Sequence, residues 1–102
     1  MPLSEEQIIS DYQTNRINLE NKEDEIKAFQ RRGEQEIEQV FSELDVSYRN
    51  QEMDGQMLSF LRQETYRAQE TYNEIVQHEK NKCLQQLEDN ELDYRRKLSQ
   101  ID

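Results

Sequence analysis

The chain contains one histidine and one cysteine, two residue types that bind metals or act as catalytic groups in many proteins. A di-metal site in a helical bundle needs Glu-x-x-His on facing helices, but the residue three before His78 is Ile75. Glu74 lies one helical turn before His78, where a surface contact is the ordinary arrangement. Cys83 follows His78 by five residues and lies on a different helix face, so no Cys–His pair forms locally.

The remaining carboxylates carry no selective signal. On helices rich in Glu and Gln, acidic pairs three or four residues apart arise by default and are solvated. The two glycines do not form a phosphate-binding loop. We therefore expect no catalytic residue, no metal and no cofactor, and a protein that is not an enzyme.

The composition is typical of long exposed helices with a thin core. Of the 102 residues, 32% are hydrophobic and 35% are charged, and there are two glycines and one proline. A chain of this length forms one domain at most. Either it is a thin hairpin, or it completes its core with a partner.

The net charge of −10 and the absence of a basic stripe argue against binding to nucleic acid or to anionic membranes. No apolar run approaches the ~18 residues of a membrane span, and the N-terminus "MPLSEEQIIS" does not resemble a cleavable signal. The single cysteine cannot form an internal disulfide. We expect a cytoplasmic protein without membrane insertion, which leaves the cell only by a route that needs no signal peptide.

Two stretches of helix-spaced apolar residues predict two helices, over about 4–49 and about 55–100. Ser4 with Gln7 forms a capping-box pattern, and Leu3 with Ile8 fits a hydrophobic staple. The first seam reads Ile8, Tyr12, Asn15, Leu19, Lys22, Ile26, Phe29, Gly33, Ile37, Val40 and Leu44. The second reads Met57, Leu61, Thr65, Ala68, Tyr72, Ile75, Glu79, Cys83, Leu87, Asn90, Tyr94, Leu98 and Ile101.

Between the seams, about 50–54, we predict a turn that includes Asp54 as N-cap and Gly55. If the chain folds back there, residues on the two helices are opposite each other when their numbers sum to about 104. Tyr72 then lies against Gly33, where its ring fills the space that glycine leaves by having no side chain. The predicted fold is all-α: a long antiparallel two-helix hairpin, coiled-coil-like. The structural alternative is one continuous helix.

Adjacent apolar residues near the bend cannot all face one seam, because neighbours on a helix are about 100° apart. We expect a second stripe that remains exposed and binds a partner. Its candidate residues are Phe41, Leu44, Tyr48, Met57, Leu58 and Leu61. We expect Leu58→Glu to disturb partner binding while leaving helicity intact. The alternative is a locally wider core.

Three segments carry a resemblance to a known family: "RRGEQEIEQVFSEL" before the bend, "FLRQETYRAQETYNEI" after it, and the ending "ELDYRRKLSQID". They make the chain similar to the small helical partner proteins encoded beside LXG toxins in Gram-positive bacteria. The chain also resembles the WXG-type hairpins of type VII secretion, which carry Trp-x-Gly in the bend. Here the bend has Met53-Asp54-Gly55, with the glycine but without the tryptophan.

The resemblance implies a targeting factor or chaperone that binds the N-terminal LXG domain of a toxin and presents it to the type VIIb export machinery. Such proteins often act together with a second small helical protein. The family's export signal, Tyr-x-x-x-Asp/Glu, matches Tyr48–Glu52 and Tyr66–Glu70, but Tyr94 is followed at that spacing by Leu98. A partner would then supply the terminal signal. The alternative function is a structural coiled coil that forms a homodimeric four-helix bundle.

Overall fold

The computed structural model describes residues 4–101 and contains two α-helices, α1 (Glu5–Arg49) and α2 (Gly55–Ser99). No strand occurs within this range, so the predicted all-α hairpin is confirmed and a continuous helix is excluded. Neither helix has, over these residues, an apolar stretch that could span a membrane. The predicted contact between Leu3 and Ile8 lies outside the described residues.

Side-chain caps define where both helices begin. The Ser4 Oγ accepts a hydrogen bond from the backbone N–H of Gln7 at 3.1 Å. The Gln7 side chain does not return the bond but donates to Asp11 Oδ1 at 2.9 Å, so only half of the predicted capping box forms. At α2, the Asp54 Oδ1 accepts from the backbone N–H of Met57 at 2.8 Å, as its predicted N-cap role requires.

The end of α1 is a Schellman motif, which is a common helix stop. The backbone N–H of Glu52 donates to the carbonyl of Ser47 at 2.9 Å, and that of Gln51 donates to the carbonyl of Tyr48 at 3.0 Å. Gln51 is left-handed, with φ 60°. Of the two predicted turn residues, Asp54 caps α2, whereas Gly55 is already the first helical residue and has no positive φ.

The two helices form two compact units. We call Lys27–Gln77, which contains the turn, the turn unit, and the chain up to Ile26 together with the chain from His78 the terminal unit. In the turn unit, Phe41 lies 4.8 Å from Tyr66 between ring centroids. In the terminal unit, Tyr12 stacks on Tyr94 at 4.1 Å. The pairing in each unit is antiparallel, and the paired numbers sum close to the predicted value of 104.

The core of the turn unit differs from the predicted second seam by one position at two places. Leu58 is only 6% exposed and Val76 only 4%, whereas the predicted seam residues Met57 and Ile75 are 50% and 49% exposed. The prediction that Leu58 lies in the exposed stripe was therefore wrong, because its side chain packs between the two helices. For the same reason we expect Leu58→Glu to lower helicity, in contrast to the sequence-based expectation of intact helicity.

The core of the terminal unit follows the predicted seams more closely. Ile8, Ile26 and Cys83 are buried there. Cys83 is only 2% exposed, and its Sγ donates to the carbonyl of Leu19 at 3.4 Å. Burial disfavours the thiolate and raises the pKa of the Cys83 thiol, so this cysteine acts as a small hydrophobic residue.

The left-handed Gln51 generates a stability prediction. In the left-handed conformation, a residue with a Cβ is less stable than glycine by about 1–2 kcal/mol. Glycine offsets part of this gain, because it loses more conformational entropy on folding, at a cost of about 0.5–1 kcal/mol. We expect Gln51→Gly to raise the free energy of unfolding by about 0.5–1 kcal/mol in urea denaturation. The matched control Gln63→Gly, at an exposed position inside α2, should lower it by about 1 kcal/mol. Equal destabilisation by both changes would contradict the assigned turn.

Candidate partner-binding surface

The residues that could do chemistry are not brought together. His78 is exposed, whereas Cys83 is buried. Over residues 4–101, no three His, Cys, Asp or Glu side chains are grouped so that they could hold a metal ion. The surfaces that remain as candidates are open grooves, one in the turn unit and two in the terminal unit, of which the smaller, about 470 Å³, is lined by Leu87, Glu88, Glu91 and Leu92.

In the turn unit Gly33 lies against Tyr72, as predicted. A Cβ on Gly33 would overlap the Tyr72 ring. That ring stacks on Phe29 with 4.7 Å between centroids, and its hydroxyl donates to the carbonyl of Phe29. Gly33 is thus required for packing, which explains a glycine in the middle of a 45-residue helix.

A groove of about 360 Å³ opens beside this contact in the turn unit. Small residues line part of it, namely Gly33, Thr65 and Ala68. The other lining residues are Glu36, Ile37, Val40, Leu61, Glu64 and Tyr72. The Thr65 hydroxyl donates to the Leu61 carbonyl of its own helix at 2.8 Å, so it requires no partner across the groove. We call this surface the apolar groove.

An exposed row on α2 extends the apolar groove in both directions. Met57, Leu61, Ala68 and Ile75 follow each other at steps of four, seven and seven residues, which keeps them on one side of the helix. Leu61 is half-buried, and the other three are exposed. The row covers 18 residue steps, or about 27 Å along the helix.

Two further contacts join the helices of the turn unit. Phe41 meets Tyr66, and Arg62 forms an ion pair with Asp45. Phe41 lies one helical turn after the groove-lining Ile37, and Arg62 lies three residues before the groove-lining Thr65, so these two side chains stand on faces next to the apolar groove.

The six predicted partner-binding residues are divided by the structure. Tyr48 and Met57 are exposed, and Phe41, Leu44 and Leu61 are half-buried. Leu58 is buried and offers no surface. Only Leu61 lines the apolar groove itself.

Sequence reasoning missed the groove positions Val40 and Ala68, because both were assigned to the seams. Both are exposed. No separate signal in the sequence marked them, since Leu61, Ala68 and Ile75 also fit the spacing of the predicted second seam.

The borders of the apolar groove carry negative charge. Glu36 lies on the α1 side and Glu64 on the α2 side. Glu64 forms an ion pair with Arg67 at 3.0 Å, within the same helix. Glu36 forms no ion pair with any residue that the structure describes. The groove thus combines an apolar lining with at least one carboxylate that has no cation beside it.

The larger groove of the terminal unit, about 930 Å³, is polar. Its side chains bind one another across the helices. Asn15 Nδ2 donates to Asn90 Oδ1 at 3.3 Å, and Asn90 Nδ2 donates to the carbonyl of Tyr12 at 3.2 Å. Asp93 pairs with both Arg96 and Lys97. These polar groups therefore satisfy each other without a partner, although the exposed Leu92 also lines this groove.

The chain was compared with known families, curated proteins and solved structures, and none of them matched. Its surfaces must therefore be interpreted from their own geometry.

The Gly33–Tyr72 contact predicts an unusual sign for a Gly→Ala change. Alanine favours a helix by about 1 kcal/mol over glycine, but a Cβ would displace Tyr72. The lost stacking and hydrogen bond are each worth about 0.5–1.5 kcal/mol. We expect Gly33→Ala to lower the free energy of unfolding by about 1 kcal/mol, and to raise it by about 1 kcal/mol in a Tyr72→Ala background.

Gly55→Ala is the control for this double-mutant cycle, since a Cβ on Gly55 meets nothing within 4 Å. It should stabilise the chain by up to about 1 kcal/mol in both backgrounds. Additive effects of Gly33→Ala and Tyr72→Ala in denaturation experiments would contradict the contact.

The hydrogen bond from Tyr12 to Glu91, 2.5 Å long, predicts a pH dependence. It lowers the pKa of Glu91 and raises the pKa of Tyr12. Its contribution to stability is therefore present above the ordinary glutamate pKa and is lost as pH falls through the lowered value. At the alkaline end, it is present below the ordinary tyrosine pKa and is lost as pH rises through the raised value.

We expect Tyr12→Phe to flatten the pH profile of the unfolding free energy below about pH 5 and above about pH 10. An NMR titration should show the pKa of Glu91 rising toward its ordinary value. Tyr48→Phe, whose hydroxyl bonds no other group between residues 4 and 101, should leave the profile unchanged. Identical profiles for wild type and Tyr12→Phe would disprove the coupling.

Proposed function

We propose that the chain is a non-enzymatic helical partner protein, which binds the N-terminal LXG domain of a type VII-secreted toxin and helps to target that toxin for export. The observation that supports binding is the set of exposed apolar side chains in the turn unit. They are Phe29, Val40, Val46, Tyr48, Met57, Phe60, Tyr66 and Ile75. Exposed large apolar side chains in such number mark protein contacts where they lie together, as Met57 and Ile75 do on one side of α2.

The energetics favour a partner that covers several of these side chains together. Full burial of a large apolar side chain contributes about 1.5–3 kcal/mol, so covering a half-exposed one contributes roughly half as much. Association costs at least about 4 kcal/mol in lost translational and rotational freedom. One or two contacts do not offset this cost, whereas a helix that follows a row of them does.

The class of partner comes from the sequence resemblance, and the helical fold is compatible with it. In the proposed complex the LXG helices complete a bundle around the turn unit, sometimes with a second small helical protein. Tyr66 and Glu70 lie one turn apart on α2, whereas Tyr48 lies on α1 and Glu52 in the turn after it. One pair thus lies inside α2 and the other at the bend, and in the proposed complex the toxin or the second partner supplies the export signal.

Co-expression tests this function directly. The chain is produced with the LXG domain encoded beside it, and complex mass is measured by size exclusion with light scattering. We expect one stable complex that contains both proteins. A homodimer that persists and ignores the LXG domain would contradict the proposal and support the structural four-helix alternative.

Two substitutions separate surface from core. Met57→Glu, at an exposed position, should weaken LXG binding by about tenfold or more without changing helicity or thermal stability. The control Gln63→Glu, an exposed change on the same helix, should leave binding unaltered. Leu58→Glu should instead lower helicity, because it buries a charge in the seam. If Met57→Glu bound the LXG domain as tightly as the wild type, the exposed apolar surface around Met57 would be excluded as the contact.

A further inference from the structure

We infer that the apolar groove of the turn unit seats one amphipathic helix of the partner, about five turns long, whose apolar face is bordered by lysine or arginine side chains. This inference rests on the proposed function and names the chemistry of the segment that the partner would contribute. It concerns Lys27–Gln77 alone.

The lining indicates a helix as the occupant. Ala68 is small and exposed, and Thr65 is half-buried, so these two positions let a third backbone approach closely between rows of larger side chains, while the space at Gly33 is filled by Tyr72. Ile37 and Val40 line the α1 side, and Leu61 lines the α2 side. An inserted ridge of apolar residues at helical spacing fills such a groove, since helices pack with axes about 8–10 Å apart.

The length follows from the apolar row on α2. Met57 and Ile75 are both about half-exposed and lie beyond the groove at its two ends. The row between them spans about 27 Å, which corresponds to roughly 18 residues or five turns of a helix. A shorter partner helix would leave one end of this row exposed.

The charge at the borders indicates cationic flanks. Glu36 and Glu64 stand on the two sides of the groove, and Glu36 has no ion pair among the described residues. An approaching helix with acidic flanks would be repelled, whereas lysine or arginine beside its apolar face would pair with these carboxylates. A second copy of this chain is disfavoured as the occupant, because each copy carries a net charge of −10.

Designed peptides test the chemistry of the occupant. The probes are two 18-residue amphipathic peptides with leucine at alternating three- and four-residue steps, flanked either by lysine or by glutamate. Binding to the full chain is measured by fluorescence anisotropy. We expect the lysine peptide to bind at least about tenfold more tightly than the glutamate peptide, and the difference to shrink as salt is raised to about 0.5 M. Equal binding of both peptides would overturn the charge assignment.

Matched variants test the location. Ala68→Arg places a bulky cation in the groove and should weaken lysine-peptide binding by about tenfold or more. Ala28→Arg makes the same change at an exposed α1 position that does not line the groove, and binding should stay within about twofold. Glu36→Gln should reduce the preference for lysine over glutamate, whereas the control Glu38→Gln should not.

The same variants distinguish this inference from the proposed function. An LXG complex that forms normally with Ala68→Arg overturns the groove as the seat but leaves the function standing. Lysine-peptide binding that Ala68→Arg abolishes, in a chain that ignores the LXG domain, supports the groove and refutes the toxin assignment. A wild-type dimer in sedimentation that Ala68→Arg dissociates overturns the inference, since the occupant is then a second copy.

Discussion

In each unit a helix has one neighbouring helix, and this limits how much apolar surface the chain can bury by itself. A helix can hide only the stripe that faces its neighbour, while residues on either side of the stripe remain partly wet. The apolar residues buried among those described are correspondingly few: Ile8, Ile26, Leu58, Val76 and Cys83. Among the described residues, eight large apolar side chains remain exposed in the turn unit and four in the terminal unit, so the turn unit has the stronger reason to bind a partner.

The close contact at Gly33 connects the packing of the turn unit with its candidate surface. Because position 33 has no side chain, Tyr72 can lie across α1, stack on Phe29 and donate its hydroxyl to a backbone carbonyl. Gly33 and Tyr72 both line the apolar groove, and the small, exposed Ala68 lies beside them on α2. The contact that joins the helices therefore also forms part of the surface that a third helix would meet.

The two units differ in whether the polar groups along their grooves have partners within the chain. In the terminal unit, Tyr12, Asn15 and Asn90 bond one another across the helices, and the nearby Asp93 has cations on its own helix. In the turn unit the groove is lined mainly by apolar side chains, with Glu36 at its border unpaired among residues 4–101. Polar groups that bond one another stabilise the chain without a partner. Solvent-exposed apolar surface beside an unpaired charge instead favours the binding of a partner protein.

The sequence by itself determined the features that depend on neighbouring residues, and one contact that depends on the small size of a glycine. The helix starts follow from Ser4 and Asp54, because a capping oxygen three residues before a backbone N–H is a local arrangement. The pairing of Gly33 with Tyr72 follows from equal helix lengths and from the one place where a ring could fit.

Tertiary structure decided which of two adjacent residues faces inward. Met57 and Leu58 satisfy the helical period almost equally, as do Ile75 and Val76, since neighbours differ by only about 100°. The rotation of α2 against α1 made that choice, and rotation is set by the summed packing of both helices, which no single stretch of sequence contains.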